Sequence, residues 1–99
     1  MVKEIVWSRR ALIDRFQILE YWINRNKSSR FSEKLDKLFL QKIELLSLHP
    51  FIGKTTTSKG IRVKIVRDYL IFYEILDTEI HILSIKDGRL NPKKFKNIP

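Results

Sequence analysis

The sequence predicts an α+β fold, with an N-terminal strand and a two-helix hairpin packed on an antiparallel sheet that ends in a three-stranded meander. Three observations predict it. Apolar runs at 61–66, 69–76 and 80–85 are rich in Ile, Val, Tyr and Phe, and each is strand length. Only Arg67-Asp68 and Asp77-Thr78-Glu79 separate them. Breaks this short suit antiparallel hairpins, because a parallel crossover needs about a dozen residues or more. Upstream, two segments carry apolar residues at helical spacing.

Residues 2–7, VKEIVW, read as a short strand joining the meander as an edge. The alternation does not settle which side is buried. Ser8 is placed as the N-cap of a helix from Arg9 to about Arg25. Leu12, Phe16, Leu19 and Ile23 recur at spacings of four, three and four, marking one apolar helix face. Asn24–Ser29 is a polar break that offers caps for a second helix, from Arg30 to Leu48. Phe31, Leu35, Leu38, Phe39, Leu45 and Leu46 lie on one side of it. Lys42 falls within that stripe and has to snorkel. His49-Pro50 ends the helix, since the residue before proline disfavours helical geometry. Pro50–Gly60 reads as a loop with turn chemistry. The run 61–66 alternates: Ile61, Val63 and Ile65 point one way and Arg62, Lys64 and Val66 the other. The first set is expected to enter a core and the second to present two cations. Tyr69–Tyr73 is apolar on both faces, as a central strand requires. Residues 87–99, DGRLNPKKFKNIP, read as an irregular basic tail.

A chain of 99 residues is expected to form one domain, residues 1–99, and can bury a modest core unaided. There is no cysteine, which excludes disulfides, zinc–thiolate sites and thiol nucleophiles. No apolar run reaches transmembrane length and MVKEIVWSRR lacks a signal-peptide core, so a cytoplasmic location is expected. Twenty Lys and Arg against eleven Asp and Glu give a net charge of +9. Such an excess favours a polyanionic partner: nucleic acid, a ribonucleoprotein surface, an acidic protein or an anionic membrane.

No short motif holds paired carboxylates, a glycine-rich phosphate loop or a nucleophile elbow. His49 and His81 are too isolated to propose a metal, and no cofactor is expected. His81, among Ile80, Ile82 and Leu83, reads as a core or rim histidine. The informative groups are basic. Arg62, Lys64, Arg67, Lys86 and Arg89 come from strands or strand ends that should be neighbours, and several could line one concave surface. A metal-free ribonuclease can work with such groups, one activating the 2′-hydroxyl while cations stabilise the charged phosphorane. Solvated strand-edge charges, or charges paired with an acidic partner, are the plainer reading.

The ordered set of motifs resembles the RelE/ParE superfamily of type II toxin–antitoxin toxins. Ile5-Val6-Trp7-Ser8 matches its V-x-W-S pattern, with Ile5 for the usual valine. Ala11, Asp14 and Tyr21-Trp22 follow, then Leu46, Pro50–Gly53 and Gly60-Ile61-Arg62. Asp68–Tyr73, Ile80–Ile85 and Asp87-x-Arg89-x-Asn91-Pro92 complete it. The resemblance implies two helices on a twisted antiparallel sheet and a cognate antitoxin as partner. That antitoxin would be an acidic or amphipathic segment lying over the helix pair and sheet.

The superfamily divides by target. RelE-like members are ribosome-dependent mRNA endonucleases, whereas ParE-like members inhibit DNA gyrase. Where RelE-type nucleases carry two lysines, this chain has Arg62 and Lys64. Their next catalytic arginine falls at Leu70, their late arginine at Arg89, and their C-terminal tyrosine near Phe95, which has no hydroxyl. A nuclease here would need substitutes such as Arg67, His81 or Tyr73. The pattern from Asp68 to Pro92 looks more like ParE. The expected function is therefore a gyrase-inhibiting toxin, with Arg62, Lys64, Arg67, Arg89, Lys93 and Lys94 as target contacts. The alternative is an mRNA endonuclease acting through Arg62, Lys64 and Arg89, with ribosome and mRNA as partners. A third reading is a basic binding module without toxicity.

Overall fold

The three apolar runs form consecutive antiparallel strands, and the other elements are arranged around them. The computed structural model describes residues 2–89. In chain order these form β1 (Glu4–Trp7), α1 (Arg9–Asn26), α2 (Arg30–Leu48), a 3-10 turn (Pro50–Ile52), β2 (Lys54–Thr55), β3 (Ile61–Val66), β4 (Tyr69–Ile75) and β5 (Glu79–Asp87). The sheet order is β1-β5-β4-β3-β2, so the strand that is apolar on both faces lies in the middle. β1 is an edge, as the sequence suggests, but it runs parallel to β5, whereas the other pairs are antiparallel. The α1–α2 hairpin supplies the long connection away from that edge. β2, two residues long, lies inside the segment read from the sequence as loop.

Each helix begins and ends for identifiable reasons. Ser8 is the N-cap of α1, and its hydroxyl accepts from the Ala11 N–H at 3.0 Å. The same hydroxyl donates to the Leu83 carbonyl at 3.0 Å, tying the helix start to β5. Lys27 ends α1 in left-handed geometry, φ 53°. Ser29 occupies the N-cap of α2, but its hydroxyl bonds the Glu33 carboxylate and no backbone N–H. The hairpin is fastened by Arg15 and Asp36, a bidentate pair at 2.7 and 2.8 Å, and by the Ser32 hydroxyl on the Leu19 carbonyl.

The core lies between helices and sheet. Leu35, Phe39, Ile43 and Leu46 of α2 meet Tyr69, Ile71 and Tyr73 of β4 and Ile80, Ile82 and Ile85 of β5. Ile82 and Ile85 are three apart yet both face the helices. A bulge explains it: Ser84 pairs with Phe72 and Ile82 with Tyr73, leaving Leu83 unopposed.

The structure corrects two sequence expectations. The face that α1 turns inward is Ala11, Asp14, Ile18 and Trp22, while Leu12, Phe16 and Ile23 are exposed. Ala11 allows close approach, Asp14 bonds the Ile85 N–H at 3.0 Å, and Trp22 bonds the Tyr69 hydroxyl at 2.7 Å. These contacts fix the rotation of α1, against its apolar periodicity. On β3, Arg62, Lys64 and Val66 pair with Tyr73, Ile71 and Tyr69, all core residues, so the cations lie on the helix-side face. Ile61, Val63 and Ile65 take the other face, and Ile65 is exposed.

Candidate functional site

The basic residues named from the sequence fall at two ends of the sheet. Arg62 pairs with Tyr73, whereas Asp87, two residues before Arg89, pairs with Tyr69. Four residues of strand separate those positions, roughly 13 Å. Arg62 and Arg89 are therefore not brought together. Lys64, opposite Ile71, lies between them and is half-buried. Leu70 points to the face opposite Arg62 and Lys64, with Lys86 as its cross-strand neighbour.

Arg62 is engaged in structure. Its Nη1 donates to the Gly53 carbonyl at 2.8 Å and reaches the Phe51 carbonyl at 3.3 Å. The guanidinium also lies 4.9 Å from the Phe51 ring centroid. The same turn is gripped by Tyr73, whose hydroxyl donates to the Pro50 carbonyl at 2.6 Å and accepts from the Gly53 N–H at 3.0 Å. Burial raises the Tyr73 pKa against the opposing Gly53 bond and the Arg62 charge. A Cβ at Gly53 would stand 2.8 Å from the Tyr73 ring and 2.9 Å from the Val63 carbonyl oxygen. The Pro50–Gly53 and Tyr73 motifs are thus two halves of one clasp.

The other end is where cations gather. Arg67 opens the β3–β4 turn in left-handed geometry, φ 55°, and is exposed. The Gly88 N–H bonds the Asp68 carbonyl at 2.8 Å, holding the end of β5 against this turn. Arg89 then folds back on Asp87: Nε and Nη2 donate to the carboxylate at 3.1 and 3.0 Å, and the Arg89 N–H donates at 2.9 Å. The Arg89 side chain lowers the Asp87 pKa, and Asp87 in turn raises that of Arg89. The guanidinium stands 5.8 Å from the Trp22 ring centroid. Lys93, Lys94 and Phe95 lie outside the described residues.

Between α1 and this end of β5 lies a cleft of about 550 Å³. Ile18, Trp22 and Tyr69 contribute apolar and aromatic surface, and Arg10, Arg25 and Arg89 contribute charge. The sequence reading missed Arg10, Tyr21, Trp22 and Arg25 as site residues. Their spacing was a usable signal, since positions 10, 14, 18, 21 and 25 fall along one helical stripe. His81 is half-buried, with Nε2 2.8 Å from Glu79 Oε1. Among the described residues no group of three or more metal-ligating side chains is placed to hold an ion. No described helix is long and apolar enough to cross a membrane.

Among known proteins, a solved structure described as "Chromosomal ParDE TA system from P. aeruginosa" is similar in fold, with TM-score 0.73 and 18% sequence identity, covering 87% of this chain and 96% of that one. No curated protein matches significantly. The family model for the ParE toxin of the type II toxin–antitoxin system, parDE, matches residues 5–92. The match spans nearly the whole chain, and the chain belongs to the ParE toxin family.

Proposed function

We propose that this protein arrests growth in the cytoplasm by binding DNA gyrase, and that a cognate antitoxin neutralises it. The observation that carries the reading is the dispersal of the groups a RelE-type nuclease needs. Arg62 is tied to two carbonyls of the Pro50–Gly53 turn, Arg89 is closed on Asp87, and Leu70 occupies the opposite face. General acid–base and phosphorane-stabilising groups must lie within hydrogen-bond reach of one reacting centre. A target bound through surface cations has no such requirement. Arg67, Arg89 and Lys64 are the described candidates for contact, joined by Lys93 and Lys94 of the tail. Arg62 acts on the target indirectly, by holding the turn.

The antitoxin reading rests on a separate observation. Leu12, Phe16 and Ile23 of α1 form an exposed apolar stripe, and Leu40 on α2 is also exposed. The Arg15–Asp36 and Ser32–Leu19 bonds set the two helices antiparallel. An amphipathic partner segment would cover this face and offset part of the +9 charge. The similar solved structure is that of a ParDE toxin–antitoxin system, which supports a partner of that kind.

Pulse labelling after induction in a bacterial host tests the target. Thymidine incorporation is expected to fall first while amino-acid incorporation continues. Loss of translation within minutes, with DNA synthesis following late, would put the ribosome-dependent nuclease in place of gyrase inhibition.

A further inference from the structure

The cleft between α1 and the end of β5 joins arginine side chains to an aromatic corner. Its cations are unequally engaged. Arg10 lies on Asp14 and Arg89 on Asp87, so both carboxylates are neutralised within the wall. Arg25 has no ion pair among the described residues. The lining therefore carries an unbalanced positive charge, which asks for an anion. Arginine's planar fork matches phosphate oxygens in pairs.

The apolar part has a shape of its own. Tyr21 and Trp22 meet edge to face, with ring centroids 5.1 Å apart and planes at 84°. Tyr21 is 53% exposed, so the corner is open to solvent. A flat ring stacked on one partner presents its edge to the other. Arg25 is four residues from Tyr21 and three from Trp22, one helical turn along the same face. At the floor, Tyr69 Oη accepts from Trp22 Nε1, and its own proton has no acceptor among the described residues. It is available to a carbonyl or ring nitrogen.

A peptide fits the cleft less well. Beyond Ile82 the edge of β5 is no longer covered by β1, and an added strand would need its outward groups. The Leu83 carbonyl is taken by Ser8 and the Ile85 N–H by Asp14. The edge is blunted against strand addition where the cleft begins.

We propose that this cleft binds a nucleoside phosphate, free or within a single strand, with the base in the Tyr21–Trp22 corner and the phosphate on Arg25. The volume, about 550 Å³, lies within the roughly 300–1,000 Å³ of small-ligand sites. Of the target-contact candidates among the described residues only Arg89 lines the cleft, and Tyr21 and Arg25, which carry the test, are not among them.

The test is calorimetric titration of the full chain with adenosine monophosphate, inorganic phosphate and a single-stranded deoxyadenosine hexamer, with tryptophan fluorescence as a second readout. Adenosine monophosphate is expected to bind saturably, and inorganic phosphate far more weakly. Tyr21→Ala and Arg25→Ala, both at exposed positions, are each expected to weaken binding about tenfold with the fold intact by circular dichroism. Lys59→Ala, at the far end of the sheet, is expected to leave it unchanged. Tighter binding of the hexamer assigns the site to nucleic acid, and equal or weaker binding to free nucleotide. Absence of binding by adenosine monophosphate and by the hexamer overturns the proposal. So does binding that survives both substitutions, or capture of an acidic peptide without any nucleotide.

Discussion

At Tyr73 one phenolic oxygen closes two backbone bonds, and removing it leaves the buried Gly53 N–H without its partner. Tyr73→Phe is expected to destabilise the fold by about 1–3 kcal/mol in urea denaturation, the usual effect of orphaning a buried donor. Gly53→Ala should be at least as damaging, because its methyl meets both the phenol ring and the Val63 carbonyl. A second residue-scale prediction concerns pH. Asp87 has a folded pKa below its ordinary value because Arg89 binds it. Its contribution is complete above about pH 4 and is lost as pH falls through the lower folded value. Asp87→Asn should flatten the acid limb of the stability–pH curve and leave the neutral region lower. Burial raises the pKa of Tyr69 and Tyr73, so the sign reverses for them. Their contribution is complete below about pH 10 and is lost as pH rises through the folded values. Alkaline unfolding followed by tyrosinate absorbance checks this limb.

Among the elements, α1 separates stability from recognition most cleanly. Phe16 is 64% exposed and Phe39 of α2 is fully buried. Phe39→Ala should cost about 3–5 kcal/mol of stability. Phe16→Asp should change stability by only about 0.5 kcal/mol and weaken antitoxin binding more than about tenfold. Retention of wild-type antitoxin affinity in Phe16→Asp would remove the α1 stripe from that interface. The same helix shows where sequence patterning stops being informative. Its limits and its Ser8 cap were legible, because caps and periodicity are local. Its rotation was not, because Asp14 and Trp22 are fixed by the Ile85 N–H and the Tyr69 hydroxyl, groups 71 and 47 residues away. β3 behaves alike: strand order and hairpins could be read from the short breaks, but the face was inverted by Arg62 reaching the Pro50–Gly53 turn. The parallel placement of β1 likewise depends on β5, to which no local signal points.

In the molecule as a whole, the site was legible as chemistry and not as geometry. Sequence reasoning found the cations; it placed Arg62 and Arg89 on one surface, whereas the register puts them at opposite ends of β4. The apolar stripe of α1 does not point to Arg10 or Arg25, which lie on another face of the helix. With a net charge of +9, association with an anionic target should be steered electrostatically. The association rate should therefore fall steeply with added salt, and the dissociation rate much less. Surface plasmon resonance over a salt series measures both. Under the proposed function, a ParE-family chain with dispersed cations acts by binding gyrase and not by cutting RNA. Supercoiling of relaxed plasmid by purified gyrase, titrated with the purified chain, tests it most directly. Gyrase binding predicts that supercoiling stops at toxin amounts comparable to the enzyme and is restored by a competing antitoxin. Full supercoiling at a large excess of active chain would contradict it.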